Sequence, residues 1–137
     1  MKPKYQKIVS RLYTDVIPSD TCYYCDAPAS TVDHIPALRV ADALGFTYLQ
    51  SIGAPFIKVM CCSDCNSSLS SSMLLTELQR REYLAARLSR KLAKLQATWT
   101  TDELAELGHA LQTMVLQRQF EADMLTRRLA CIRKRKN

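Results

Sequence analysis

The sequence has no apolar run near the roughly 20 residues that a membrane-spanning helix requires, and its basic N-terminal segment lacks the continuous apolar stretch of a secretory signal. It also has no internal repeats and no low-complexity segments. With 47% hydrophobic and 23% charged residues among 137, its composition excludes wholesale disorder. We therefore expect a soluble, cytoplasmic protein of a bacterium or a phage-infected cell, without membrane contact.

Positive charge is scarce in the first half of the chain and abundant in the second. The net charge is +6, and residues 1–70 balance their Lys and Arg residues with Asp residues, so the excess lies in residues 71–137. A basic surface favours nucleic acid or acidic partners and accelerates the encounter with them. The alternative is that this charge only keeps a helical region soluble.

Residues 1–70 are predicted to form one small lobe. Apolar residues at helical spacing predict a short helix over residues 4–14, and a second short helix over 37–44 would end at Gly45. The β-prone run over 56–60 predicts a strand that leads into a pair of cysteines. The remainder of residues 20–70 is rich in turn-forming residues and is interrupted by prolines.

Residues 71–137 contain no proline and are rich in helix-forming residues. Thr100, followed by Glu103, forms the pattern of a capping box, so one helix should end near 99 and a second should run from about 101 to 134. Two such helices are expected to fold into an antiparallel hairpin, or else to dimerise as a coiled coil. The predicted apolar stripes comprise Leu74, Leu78, Ala85, Leu88, Leu92, Leu95 and Trp99, and Leu104, Leu107, Leu111, Met114, Ala122, Leu125, Leu129 and Ile132.

Four of the six cysteines form two C-x-x-C pairs, Cys22 with Cys25 and Cys62 with Cys65. In the reducing cytosol such pairs indicate a metal site rather than disulfides, and four thiolates in tetrahedral geometry suit structural Zn²⁺. Cys61 could replace Cys62, although the spacing would then become C-x-x-x-C. Cys131 is expected to serve packing.

The first pair is followed by Asp33-His34-Ile35-Pro36, and Asn66 directly follows the last cysteine. A zinc ion shared by both pairs would bring these positions together. The oxygens of Asp33 and Asn66 suit a hard divalent cation such as Mg²⁺. Neutral His34 can accept a proton from an attacking water at neutral pH.

The ordered set C-x-x-C, D-H-I-P and C-x-x-C-N resembles the zinc-stabilised HNH endonucleases of the ββα-metal class, over about residues 20–70. The resemblance implies that Asp33 and Asn66 bind a catalytic Mg²⁺ or Mn²⁺, that His34 is the general base, and that the substrate is DNA. The helical tail looks like that of phage-associated members. The alternatives are a structural role for His34, a turn or cap role for Asp33, and a left-handed turn at Asn66.

The chain departs from the HNH pattern in one respect, since no asparagine lies between His34 and Asn66 to orient the histidine. Gln50 or a backbone group could take that role. A histidine without such a partner is a poorer base, so a non-catalytic nucleic-acid-binding module and a protein-interaction module stay open as alternatives. His109, the only other histidine, is expected at the surface.

Four basic residues share one face of the first long helix, flanking its leucines: Arg80, Arg87, Lys91 and Lys94. Such a ridge can follow a phosphate backbone with salt-dependent affinity. The alternative is a solvated helix face.

The sequence thus predicts an α+β protein. Its first part, residues 1–70, would be a zinc-bound ββα-metal lobe of HNH or treble-clef type. Its second part, residues 71–137, would be a basic antiparallel helical hairpin, which offers a surface to a protein partner or a second copy.

Overall fold

The computed structural model describes residues 11–70, 73–95 and 100–134. The protein is mixed α+β, with one two-stranded antiparallel sheet and a larger share of helix. The described elements are β1 (Thr31–Ile35), α1 (Leu38–Leu44), α2 (Phe46–Ser51), β2 (Ile57–Cys61), α3 (Ser63–Leu69), α4 (Glu77–Leu95), α5 (Thr101–Glu106) and α6 (His109–Lys134).

The two strands form an antiparallel sheet whose register pairs Asp33 with Val59 and His34 with Lys58. Side chains alternate between the faces of a strand, so Asp33 points into the protein and is buried while His34 lies on the opposite face. The predicted strand at 56–60 is displaced by one residue. Phe56 adopts a positive φ of 50° and lies in the segment before the strand.

The helices of the lobe agree with the sequence prediction only in part. Helix α1 ends at Gly45 as predicted, and Gly45 has a φ of 82° that favours glycine. Helix α2 follows at once and was not predicted. The predicted helix over 4–14 falls mostly outside the described residues, although residues 11 and 12 are helical.

Helices α4 and α6 pack side by side in opposite directions. The first part of α4, at Arg81, lies beside Ile132 near the end of α6, and Leu95 at the end of α4 lies beside Phe120 near the middle of α6. The described parts of α4 and α6 therefore run antiparallel to each other within one chain. Helix α4 begins at Glu77, later than predicted, and residues 96–99, with Trp99, lie outside the described residues.

The predicted single helix from 101 to 134 is wrong, because the chain leaves helical geometry at Leu107 and Gly108. Glycine has the lowest helix propensity after proline, and its cost of roughly 1 kcal/mol favours a break here. The Gln112 side-chain amide then donates to the carbonyls of Leu104 and Leu107, at 2.7 and 2.9 Å. Upstream, the capping box of Thr100 and Glu103 is present as predicted.

The predicted apolar stripes need correction at several positions. Leu78, Leu111 and Met114 are 45%, 52% and 59% exposed, whereas Val115 is buried.

The larger core joins the lobe to the hairpin, because the cysteines pack with leucines of both long helices. A second, smaller core surrounds Tyr13 and Phe56. The lobe and the hairpin therefore share buried side chains. The larger core contains Cys22, Tyr24, Cys25, Ile35, Val59, Cys61, Cys62, Cys65, Leu69, Leu84, Leu88, Leu129 and Ile132.

Candidate metal centre and adjoining cavity

The sulfur atoms of Cys22, Cys25, Cys62 and Cys65 lie within 4.8 Å of one another, and all four side chains are buried. The Sγ atoms of Cys25 and Cys62 are 3.7 Å apart. Tetrahedral zinc with Zn–S bonds of about 2.3 Å places neighbouring sulfurs about 3.8 Å apart. The donor set and its spacing therefore suit a structural metal ion such as zinc.

Backbone hydrogen bonds hold the first cysteine pair against the end of β2. The Tyr23 N–H donates to the Met60 carbonyl at 2.9 Å, and the Ser30 N–H donates to the Cys61 carbonyl at 3.0 Å. The second pair lies at the start of α3, where Cys62 is the N-cap residue and its sulfur accepts the Cys65 N–H. The two-stranded sheet thus brings together two cysteine pairs that are far apart in sequence.

Two further cysteines lie near this cluster without belonging to the four-thiol set. Cys61 is fully buried, and its Sγ is 3.8 Å from that of Cys22. The set within mutual reach nevertheless contains Cys62, which supports the C-x-x-C reading of the second pair. The Cys131 sulfur lies 3.4 Å from an Asp26 carboxylate oxygen.

An arginine from the helical hairpin covers the cluster. Arg128 of α6 donates from Nε to the Cys25 sulfur at 3.3 Å and from Nη2 to the Cys65 sulfur at 3.5 Å. Its Nη2 also lies 2.8 Å from Asp64, inside the second cysteine pair. Arg128 is not predicted from the sequence, since no local pattern connects it with cysteines more than 60 residues away.

Asp33, His34 and Asn66 line one open cavity of about 460 Å³ between β1, α1 and α3. Asn66 lies within α3, so the alternative of a left-handed turn at this position is wrong. The three residues predicted for catalysis thus line one surface depression, although the Asp33 carboxylate points to the opposite face of β1, into the protein.

The Asp33 carboxylate is 4% exposed and already holds a cation. Arg80 Nη2 donates to both of its oxygens, at 2.8 and 2.7 Å, and the Tyr24 hydroxyl donates to Oδ2 at 2.6 Å. Arg80 Nε donates to the Tyr24 oxygen at 3.0 Å, which closes the network. The donor atoms of Asp33 and Asn66 suit a divalent cation, but the positive charge of Arg80 opposes a second cation at Asp33.

The imidazole of His34 lies edge-on to Tyr13, with ring centroids 5.2 Å apart, and faces Lys58 across the strands. Burial lowers the pKa of His34 from its ordinary value, Asp33 raises it, and Lys58 and Arg80 lower it further. The result is a histidine that is neutral at pH 7. Gln50, the suggested orienting residue, is exposed, and no hydrogen bond joins it to His34 within the described ranges.

The basic ridge predicted on the first long helix is wrong at Arg80, which is fully buried in the salt bridge with Asp33. Arg87 is half-buried, and its Nε has no hydrogen-bond partner among the residues that the structure describes. Lys91 lies 3.5 Å from Asp64, and Lys94 is exposed. The four residues do not form a continuous surface, because buried positions and an acidic partner interrupt it.

No family model matches the chain, and no curated protein or solved structure matches it either. Across residues 11–70, 73–95 and 100–134, every helix is too short or too polar to cross a bilayer.

Proposed function

We propose that the protein is a zinc-stabilised, HNH-type DNA endonuclease that hydrolyses phosphodiester bonds. The observation that carries the proposal is the shared cavity of Asp33, His34 and Asn66, residues that the sequence order C-x-x-C, D-H-I-P, C-x-x-C-N links to this class. Zinc held by the four cysteines would have a structural role, since all four ligands are protein side chains and none of its positions is open.

The roles of the residues follow from their protonation and position. His34 is neutral at pH 7 because its pKa is lowered, and it opens on the cavity, so it can accept a proton from a water molecule there. Asp33 and Asn66 are the residues that would hold Mg²⁺ or Mn²⁺. Such an ion would supply a Lewis acid that neutralises charge on the phosphate and leaving oxygens.

A second candidate function rests on the salt bridge between Arg80 and Asp33. Both carboxylate oxygens accept hydrogen bonds from a permanently charged guanidinium, which leaves little capacity for a divalent ion. On this reading the lobe keeps the metal-stabilised fold and binds nucleic acid or a protein partner without turnover. The absence of an asparagine between His34 and Asn66 supports the same reading.

A nicking assay on supercoiled plasmid DNA separates the two candidates. We expect the protein to nick DNA in Mg²⁺ or Mn²⁺, and His34→Ala to reduce the rate by about 10²–10⁴-fold, the usual contribution of a general base. The matched control is His109→Ala, at the exposed start of α6, which should cleave at the parent rate.

Equal cleavage by the parent and by His34→Ala would refute the assigned role of His34. If the parent does not nick DNA, fluorescence anisotropy with labelled duplex identifies the second candidate. A logarithm of the association constant that falls linearly with the logarithm of the salt concentration would indicate phosphate contacts. Neither cleavage nor DNA binding, together with a stable partner in pull-downs, would favour the protein-interaction module.

A further inference from the structure

Arg128 is placed to act on the metal centre although it belongs to the helical hairpin. Its guanidinium reaches three of the four cysteine sulfurs, at 3.3 Å for Cys25, 3.5 Å for Cys65 and 3.9 Å for Cys62. The side chain is only 14% exposed. Contacts of one buried cation with three candidate ligands are more than an incidental surface pairing.

We propose that Arg128 is a positioning residue for the metal, which donates N–H···S hydrogen bonds to the thiolate ligands and holds the ion in the site. Four thiolates and one Zn²⁺ carry a net charge of −2, and this charge lies in a buried, low-dielectric setting where it is costly. A fixed guanidinium offsets it and withdraws electron density from the sulfurs. The inference rests on metal binding by the four cysteines and not on nuclease activity.

The position of the guanidinium is fixed by an ion pair with α3 and by the packing of its own helix, α6. Asp64 lies between the two ligands Cys62 and Cys65 and accepts from Arg128 Nη2 at 2.8 Å. One turn further along α6, Ile132 is buried in the core shared with the cysteines. The planar fork of arginine can therefore contact sulfur and carboxylate together, which the point charge of lysine cannot reproduce.

The consequence is that metal affinity depends on the docking of α6. Removal of hydrogen-bond partners around metal ligands typically lowers metal affinity by about 10–100-fold. We expect Arg128→Met to weaken Zn²⁺ binding by a factor in that range. Arg128→Lys, which keeps the charge and the aliphatic stem, should show a smaller loss.

Competition with a chromogenic chelator measures the Zn²⁺ affinity of the full chain. The matched control is Arg127→Gln, on the neighbouring exposed position of the same helix, and its affinity should equal that of the parent. The Co²⁺-loaded proteins give a second readout. Without N–H···S bonds the sulfurs are more electron-rich, so the sulfur-to-cobalt charge-transfer band of Arg128→Met should move to longer wavelength.

Asp64→Asn separates the action on sulfur from a general effect of the ion pair. This variant loses the Asp64 charge but keeps Arg128, so we expect a cobalt spectrum closer to that of the parent than Arg128→Met gives. If Arg128→Met does not fold, Arg128→Lys supplies the test with the same two readouts.

Parent-like zinc affinity and a parent-like cobalt spectrum in the Arg128 variants would overturn the inference while leaving the metal centre intact. An identical loss and an identical spectrum in Asp64→Asn would also overturn it, because the ion pair alone would then explain the effect. A parent protein that binds neither Zn²⁺ nor Co²⁺ tightly would instead refute the metal centre on which the proposed function depends.

Discussion

The buried pair of Arg80 and Asp33 should control the stability of the whole molecule, because it joins β1 of the lobe to α4 of the hairpin. The two side chains are 0% and 4% exposed. Unit charges about 4 Å apart attract by about 4 kcal/mol at an effective dielectric constant of about 20. The desolvation of two ions costs several kcal/mol each, so the intact pair adds little net stability compared with apolar side chains of similar volume.

Removal of one partner has a different effect, since it leaves the other charge buried and unpaired. We expect Arg80→Met and Asp33→Leu each to lower the free energy of unfolding by about 3–5 kcal/mol. The Tyr24 hydroxyl would lose a partner in both cases, because it contacts both residues. The triple variant that adds Tyr24→Phe removes every polar side chain of this network and should be more stable than either single variant.

Urea unfolding followed by circular dichroism, in excess zinc and reductant, measures these differences. With a slope of about 1–3 kcal/mol/M, a loss of 3–5 kcal/mol lowers the midpoint by more than about 1 M. Losses below about 1 kcal/mol in the single variants, or additive losses in the combined variant, would refute a buried and tightly coupled pair.

Two further predictions concern the histidine of the cavity and the packing of the hairpin. The pKa of His34 is lowered by burial, so its contribution to stability is complete above the unfolded value of 6.5 and declines as the pH falls below it, because the unfolded chain binds the proton first. An NMR titration without added divalent cations, with His34→Gln to distinguish its signal from that of His109, should give a midpoint below 6.5; a midpoint at or above 6.5 contradicts the burial argument. Leu88→Ala in the shared core should cost about 2–5 kcal/mol in urea unfolding, whereas Leu116→Ala, at a position 56% exposed, should cost far less. Equal losses at both positions would show that α4 and α6 do not pack as described.

The parts of the structure that the sequence predicted depend on local chemistry. The spacing of the cysteine pairs anticipated the four-thiol cluster, because C-x-x-C places two sulfurs on one turn. Gly45 ended a short helix and Thr100 began another, since a positive φ and a side-chain cap are decided within a few residues. The antiparallel arrangement of α4 and α6 agrees with two apolar stripes in the sequence, although the connection between them is longer than predicted and contains α5.

The parts that the sequence did not predict depend on contacts between distant segments. The helical wheel predicts Arg80 at the surface together with its basic neighbours, whereas its partner in the structure, Asp33, lies 47 residues away in sequence. The contact of Arg128 with Cys25 also joins distant segments, so the sequence does not predict it. At Gly108 the low helix propensity of glycine outweighs a long apolar pattern that predicts a continuous helix. The same pattern predicts buried side chains at Leu111 and Met114, which are exposed.

The core shared by the cysteine cluster and the two long helices limits how this protein can be divided. A cut at residues 71–72 would separate Asp33 from its guanidinium and open the sulfur atoms that α6 covers. A substitution that moves α6 would therefore also change the surroundings of the cysteine sulfurs. The hairpin and the lobe therefore depend on one another for their buried side chains and cannot be separated without exposing them.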